Sequence, residues 1–178
     1  MAEGGETELR FAHDIEIVRL IASPVHRYAG RPGEAEVPPA ALDEHDVLFV
    51  RAGLGIVGDR YYGQPAHRRA SITVMSVEPI EALAAQVGGG PYDAALARRN
   101  VVVRGIDADR LTSQRFSIDC GDGAVELQGH RPASPCAWLD AAFAPGAQRA
   151  LRGHSGVRCE PLTSGALRLG PATLRATW

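Results

Sequence analysis

A chain of 178 residues, 45% hydrophobic and 22% charged, is long enough for one globular domain with a substantial core and short for two. Its net charge of -2 offers no electrostatic footprint for a polyanion such as DNA, and no apolar run approaches the roughly 20 residues that cross a bilayer. Neither nucleic acid nor a membrane is therefore an expected partner.

The expected organisation is a single domain over residues 1–178, with residues 1–12 as a flexible N-terminal tail. That tail opens with an acidic stretch, Met1 to Glu6, lacking the apolar centre of a signal peptide. The cysteines Cys120, Cys136 and Cys159 are odd in number and form no CxxC, which points to free thiols in a reducing cytoplasm. All 19 basic residues are arginine, a bias shared with abundant alanine, glycine and proline and explained by base composition. Arginine pairs at Arg68-Arg69 and Arg98-Arg99 nevertheless set planar, permanently charged forks at discrete points, suited to phosphate or carboxylate.

In chain order the regular pieces are short and strand-like. Alternating or β-branched runs occur at 15–21, 47–50, 71–74 and 101–103, then at 115–118, 124–127, 157–160, 167–169 and 172–176, all bounded by turn-forming residues. Two helices interrupt them. One is expected over Val77 to Val87, with Ile80, Leu83, Ala84 and Val87 on one face, Ser76 as its cap and Gly88 to Gly90 as its stop; the other follows Cys136. The segment 29–39, rich in proline and glycine, reads as an ordered excursion. The pattern predicts a mainly β (α+β) fold, a barrel or sandwich with a few peripheral helices.

Gly53-Leu54-Gly55-Ile56-Val57-Gly58 spells GxGxxG after a strand-like run. A dinucleotide site also needs a helix to begin there, and the residues that follow, Asp59 to Pro65, are rich in helix breakers, so a Rossmann site is rejected. No Walker loop, HExxH or paired-cysteine zinc pattern occurs, and the six histidines lack ligand spacing. Cys136 stands out by its surroundings, Ser134-Pro135-Cys136-Ala137-Trp138. With Ser134 as N-cap and Pro135 at the first helical position, the thiol would lie in the first turn, where the helix dipole favours a reactive thiolate. The alternative is a small buried residue that happens to precede a helix.

The ordered set of motifs resembles the MOSC family, named for the C-terminal domain of molybdenum cofactor sulfurases. The resemblance runs through Ser23-Pro24-Val25-His26-Arg27-Tyr28-Ala29-Gly30, Gly55 to Arg60, Arg98-Arg99-Asn100 continuing to Asp107, Ser134-Pro135-Cys136, Ala142 to Ala147 and Arg152 to Val157. It is greatest to the compact, stand-alone bacterial members.

The resemblance implies a MOSC-type β-barrel and a pocket for a molybdenum cofactor (molybdopterin); pyridoxal phosphate is not an expected cofactor. It places the family's cysteine at Cys136, as a molybdenum ligand or persulfide carrier, both of which need a soft thiolate. The cofactor-binding candidates are Arg60, Arg69, Arg99 and Asn100, with His130 and Arg131 near Cys136 in sequence. Asp59 is either a cofactor contact or the cap of a tight glycine turn; Trp138 and Phe143 read as core anchors. Where close relatives carry a second cysteine three residues before the first, this chain has Ala133, which excludes a two-thiol relay within that loop. The implied activity is molybdenum-dependent oxidoreduction of a small molecule, such as an N-hydroxylated compound, fed by a separate reductase. The alternative is sulfur transfer or non-catalytic carriage of sulfur or cofactor on a Cys136 persulfide, in exchange with cofactor-biosynthesis proteins. A third reading is an inert cysteine in a protein-interaction barrel.

Overall fold

The computed structural model describes residues 8–34 and 36–178. Ten strands are present among them: β1 (Phe11–Leu20), β2 (Val47–Arg51), β3 (Gly55–Ile56), β4 (Ile72–Ser76), β5 (Val101–Arg104), β6 (Arg115–Asp119), β7 (Ala124–Pro132), β8 (Val157–Pro161), β9 (Gly165–Arg168) and β10 (Gly170–Ala176). Seven of them close a barrel in the order β1-β10-β6-β7-β8-β4-β5, and β3-β2-β9 form a small sheet beside it. Neighbours in the barrel run antiparallel except β4 and β5. The expected barrel with peripheral helices is the observed fold. Residues 1–7 of the expected tail lie outside the described residues, and its last two, Phe11 and Ala12, open β1.

Alternation explains both faces of the sheet. Val74, Val101 and Val103 point into the barrel with Ile17, Phe116, Leu127 and Leu174, while Met75 and Val102 point outward into a second core with Ile80, Leu83, Leu139 and Leu151. Strands buried on both sides read as unbroken apolar runs, which is why Val101-Val102-Val103 lacks a polar face. The helices that cover this flank are shorter than the sequence suggests. The expected helix over 77–87 divides into α1 (Glu78–Glu81) and α2 (Leu83–Val87), and Ser76 belongs to β4 rather than capping the helix. The second is likewise two pieces, α3 (Trp138–Ala142) and α4 (Ala147–Ala150), separated at Pro145-Gly146, a pair that ends one helix and frees the chain to start another. No helix among the described residues is long and apolar enough to cross a membrane.

The GxGxxG stretch forms the turn and second strand of the β2–β3 hairpin, with Gly53 at φ 68°, so its glycines serve a tight return of the chain. At one mouth of the barrel β1 ends and β4 and β5 begin, and the row of partners Leu20, Val101, Val74, Val157 and Pro132 brings the end of β7 and the start of β8 level with them. The loops gathered there come from segments far apart in sequence.

Candidate active site

A cleft of about 160 Å³ opens at this mouth, lined by the segment after β1 (Ser23, His26, Arg27, Tyr28), by Asp59, Arg60 and Tyr61 after β3, and by Arg98, Arg99 and Asn100 before β5. Thr73 of β4, Ser134 and Cys136 after β7, Leu139 of α3 and Arg158 of β8 complete it. Cys136 is a free, exposed thiol. It does not sit in a helical turn: Ala137 is the N-cap of the five-residue α3, and the Cys136 carbonyl accepts a hydrogen bond from the Leu139 N–H at 3.0 Å. The expected Ser134 cap is also absent, since α3 has Ala137 as its N-cap and no side-chain cap; the Ser134 carbonyl accepts from Arg99 Nη2 at 3.1 Å. The electrostatic character of this thiol's surroundings therefore comes from arginines and not from a helix dipole.

Arg60, Arg99 and Arg158 line the cleft, and none of the three has a carboxylate within ion-pair distance among the described residues. Arg99 is fixed by its Nε donating to the Ser155 carbonyl at 3.1 Å as well as by Ser134. Arg60 lies with its guanidinium 4.5 Å from the Tyr61 ring centroid, and its buried Nε has no hydrogen-bond partner among the described residues. A buried donor without an acceptor is costly, and here it borders a cleft that an anion could enter. Burial, reinforced by repulsion from Arg158 and Arg60, lowers the Arg99 pKa to about 10, with a thiolate at Cys136 and the Asp109 carboxylate working in the opposite sense. The folded protein thus holds the Arg99 proton less tightly than the unfolded chain, a destabilising contribution at neutral pH that a bound anion would offset.

Asp59, the carboxylate that lines the cleft, is already occupied. Its Oδ1 accepts from the Tyr61 N–H at 3.0 Å, and its Oδ2 accepts from the Ser23 N–H at 3.3 Å and Asn100 Nδ2 at 3.4 Å. Of its two sequence readings, these contacts match the turn cap. Asn100 is equally spent: Oδ1 accepts from the Thr73 N–H and Thr73 Oγ1, each at 2.9 Å, while Nδ2 donates to the Ile21 carbonyl at 3.0 Å and to Asp59. An amide has about four hydrogen-bonding positions, all used here to tie β1, β4 and β5 together. Asn100 therefore holds the wall and offers a ligand no free group.

Three sequence candidates stand elsewhere. Arg69 is exposed on a 3-10 helix over Pro65–Ala70 and does not line the cleft. His130 turns to Glu160, with 3.3 Å between Nε2 and Oε2, and Arg131 is exposed on β7; neither lines the cleft. Proximity to Cys136 in sequence misleads here because the extended chain after β7 carries residue 136 away from the strand.

Sequence reasoning in turn missed Arg158, whose outward position on β8 is common to any half-exposed strand, and the supports of the 26–28 segment. Arg27 and Arg98 both clasp Asp43, which is 1% exposed: Arg27 Nη2 to Oδ1 is 2.8 Å and Arg98 Nη1 to Oδ2 is 2.5 Å. Arg98 also donates to the Pro38 carbonyl at 2.7 Å, tethering the 29–39 excursion. Tyr28 donates its hydroxyl to the Leu96 carbonyl at 2.6 Å, and its ring stacks on Trp138 at 5.1 Å and 5°. Trp138 is buried as expected, and Phe143, partly buried, packs against the outer core beside Tyr92.

Among the described residues no group of three or more His, Cys, Asp or Glu side chains is placed to hold a metal ion. A metal in this cleft would be held by the single sulfur of Cys136, its other ligands coming from a cofactor. If the arginines form an anion site, inorganic phosphate at about ten times its Kd raises the melting temperature by roughly 3 °C. Arg99→Gln abolishes that shift in a thermal melt and Arg69→Gln keeps it; a shift that survives in Arg99→Gln overturns the assignment.

The family model of the MOSC domain matches residues 58–172. The YUAD protein from Bacillus subtilis has a similar solved structure, with TM-score 0.72 and 17% identity over 94% of this chain and 98% of that one. YiiM from Escherichia coli gives TM-score 0.58 at 15% identity, over 92% of this chain and 69% of its own. YiiM from Geobacillus stearothermophilus gives 0.59 at 17%, over 90% and 74%. At these identities the likeness concerns the fold. No curated protein matches the chain. The family match spans more than half of the sequence and agrees with the barrel, so the chain belongs to the MOSC domain family, which is associated with molybdenum cofactor binding.

Proposed function

We propose that the chain binds a molybdenum cofactor in the cleft at the barrel mouth, with Cys136 as the protein's ligand to the metal, and acts in oxidoreduction of small molecules such as N-hydroxylated compounds. The observation that carries this reading is one juxtaposition. An exposed thiol shares its cleft with three guanidinium groups, Arg60, Arg99 and Arg158, that have no carboxylate within ion-pair distance among the described residues. Soft sulfur suits molybdenum, and planar cationic forks suit the cofactor's phosphate. The fit is further supported by the buried Arg60 Nε, which has no hydrogen-bond partner among the described residues.

When bound, the cofactor would supply a metal able to pass electron pairs to a substrate. The chain itself supplies the sulfur ligand, the charge that holds an anion, and rigid walls. Arg99 is pinned by two carbonyls and Asn100 by four contacts, so the cleft is formed before a ligand arrives, which lowers the cost of binding. Reduction of an N-hydroxylated compound consumes two electrons and two protons and releases water; the electrons come from a separate reductase protein.

The test is metal and pterin analysis of protein purified from a cofactor-competent host. Molybdenum close to one per chain is expected in the wild type and a loss of at least tenfold in Cys136→Ser. Equal metal in the two proteins overturns the proposal. The exposure of Cys136 favours one other reading, a carrier that accepts sulfur from a donor protein. Its mark is an added sulfur atom on Cys136 in the intact mass, with no turnover under any reductase.

A further inference from the structure

The cationic surface does not stop at the edge of the cleft. Along β7, Val125, Leu127 and Gly129 are buried, and strict alternation would turn residue 131 inward as well. A register shift between Gly129 and Arg131 interrupts the pairing with β8, and Arg131 is exposed, directly opposite Arg158. Bulges re-aim side chains next to functional sites. Here the bulge sets two arginines side by side across the strands, an arrangement that like charges disfavour.

The neighbouring charges are handled differently. Two residues along β8, Glu160 pairs with Arg68 at 2.6 Å and faces His130 at 3.3 Å. Neither Arg131 nor Arg158 has such a partner among the described residues. Four guanidinium groups without an ion-pair partner among the described residues, Arg60, Arg99, Arg158 and Arg131, thus stand in and beside the cleft, whose lining carboxylate, Asp59, is already taken up by backbone amides and Asn100. A single phosphate monoester carries at most about two negative charges and leaves this strip undercompensated. The cleft's volume of about 160 Å³ is also below the several hundred of a typical small-molecule site, so a cofactor-sized ligand extends beyond it.

We propose that the arginine strip running from the cleft across β8 onto β7 takes a diphosphate group, with Arg158 at the inner phosphoryl group and Arg131 at the outer one. This rests on the reading of the cleft as the site of an anionic ligand and specifies that ligand's class. The diphosphate belongs either to a nucleotide-extended form of the pterin cofactor or to a free nucleoside diphosphate.

Calorimetric titration of the full chain with inorganic phosphate, pyrophosphate and ADP separates the possibilities. Pyrophosphate binds the wild type about tenfold more tightly than phosphate, the gain expected of one added charge-assisted contact, and Arg131→Gln brings pyrophosphate down to the affinity of phosphate. ADP sharing the pyrophosphate advantage supports the strip with a free nucleoside diphosphate as its source; the advantage without ADP supports it with the extended cofactor. Equal binding of phosphate and pyrophosphate by the wild type overturns the proposal, as does an advantage that persists in Arg131→Gln or an absence of binding by either anion. Molybdenum content in wild type and Cys136→Ser is a separate readout, so a missing diphosphate preference in molybdenum-bearing protein removes this inference alone.

Discussion

Asp43→Asn lowers the stability of the folded protein by about 3–5 kcal/mol at pH 7, the usual cost of removing one partner from a buried ion pair. Asp43 is 1% exposed and accepts from two arginines, Arg27 through Nε and Nη2 and Arg98 through Nη1. An asparagine keeps the shape and removes the charge that these guanidinium groups face. Arg27 retains a route to solvent, but Arg98, with 9% of its side chain exposed and its backbone in the left-handed region at φ 55°, does not.

The pH dependence follows from the direction of the Asp43 shift. Burial alone would raise its pKa, but hydrogen bonds from Arg27 and Ser23 and the charges of Arg27 and Arg98 outweigh burial and hold it below its ordinary value of 3.8. The unfolded chain therefore takes up this proton before the folded one does. The contribution is complete above the unfolded pKa and is lost as pH falls through the lower, folded pKa. Urea midpoints of wild type and Asp43→Asn should stay a constant distance apart from pH 7 to about pH 5 and converge below about pH 4. Equal midpoints at pH 7 would show that the two-arginine clasp contributes nothing.

Legibility in the sequence followed the range of the physical signal. Nine of the ten strands, in the barrel and the small sheet beside it, are written in local alternation and β-branched runs that overlap the observed elements. β3 escaped because a two-residue strand inside Gly55-Ile56 has no periodicity to show. The α1–α2 break at Ala82 and the late start of α3 escaped for a different reason: apolar spacing marks the face that packs against the outer core, and it is blind to a change in backbone direction that leaves the face intact. Cys136, Arg60 and Arg99 were legible through the family resemblance, and the fold does bring them to one cleft. Asn100, expected as a cofactor contact, lines the cleft, but the saturation of its amide depends on Thr73, Ile21 and Asp59, which no local reading unites. Arg158 and the Arg27–Asp43–Arg98 clasp depend on strand pairing and on a loop return, so they had no signature before the barrel closed. Arg69 belongs to an arginine pair and His130 and Arg131 are near Cys136 in sequence, but neither property fixes where a side chain faces, and none of the three lines the cleft.

Gly156→Ala is expected to remove about 3–5 kcal/mol, summing a left-handed backbone position and overpacking against a neighbouring strand. Gly156 has φ +80°, and a Cβ built there would stand 2.0 Å from the Val74 carbonyl oxygen and 2.8 Å from Met75 Cα. Both are backbone atoms of β4, held by β5 on one side and β8 on the other, so neither can swing aside as a flexible side chain could. Relief requires the start of β8 to lift from β4. That movement is not local to the core, because the Gly156 carbonyl accepts from the Ala133 N–H at 2.7 Å and its N–H donates to Asp109 Oδ1 at 3.0 Å. The adjacent Ser155 carbonyl holds Arg99 Nε. One glycine therefore sets the distance between the loop that carries Cys136, the arginine that faces it and the strand that carries Arg158. With a total stability of the order of 5–15 kcal/mol for a domain of this kind, the variant should melt far below the wild type and, where it still folds, bind phosphate more weakly than wild type does. Circular dichroism melts paired with phosphate titration on the folded fraction check both parts. A variant with the wild-type melting temperature would show that β8 can approach β4 no more closely than an alanine allows, contrary to the packing on which the cleft is built.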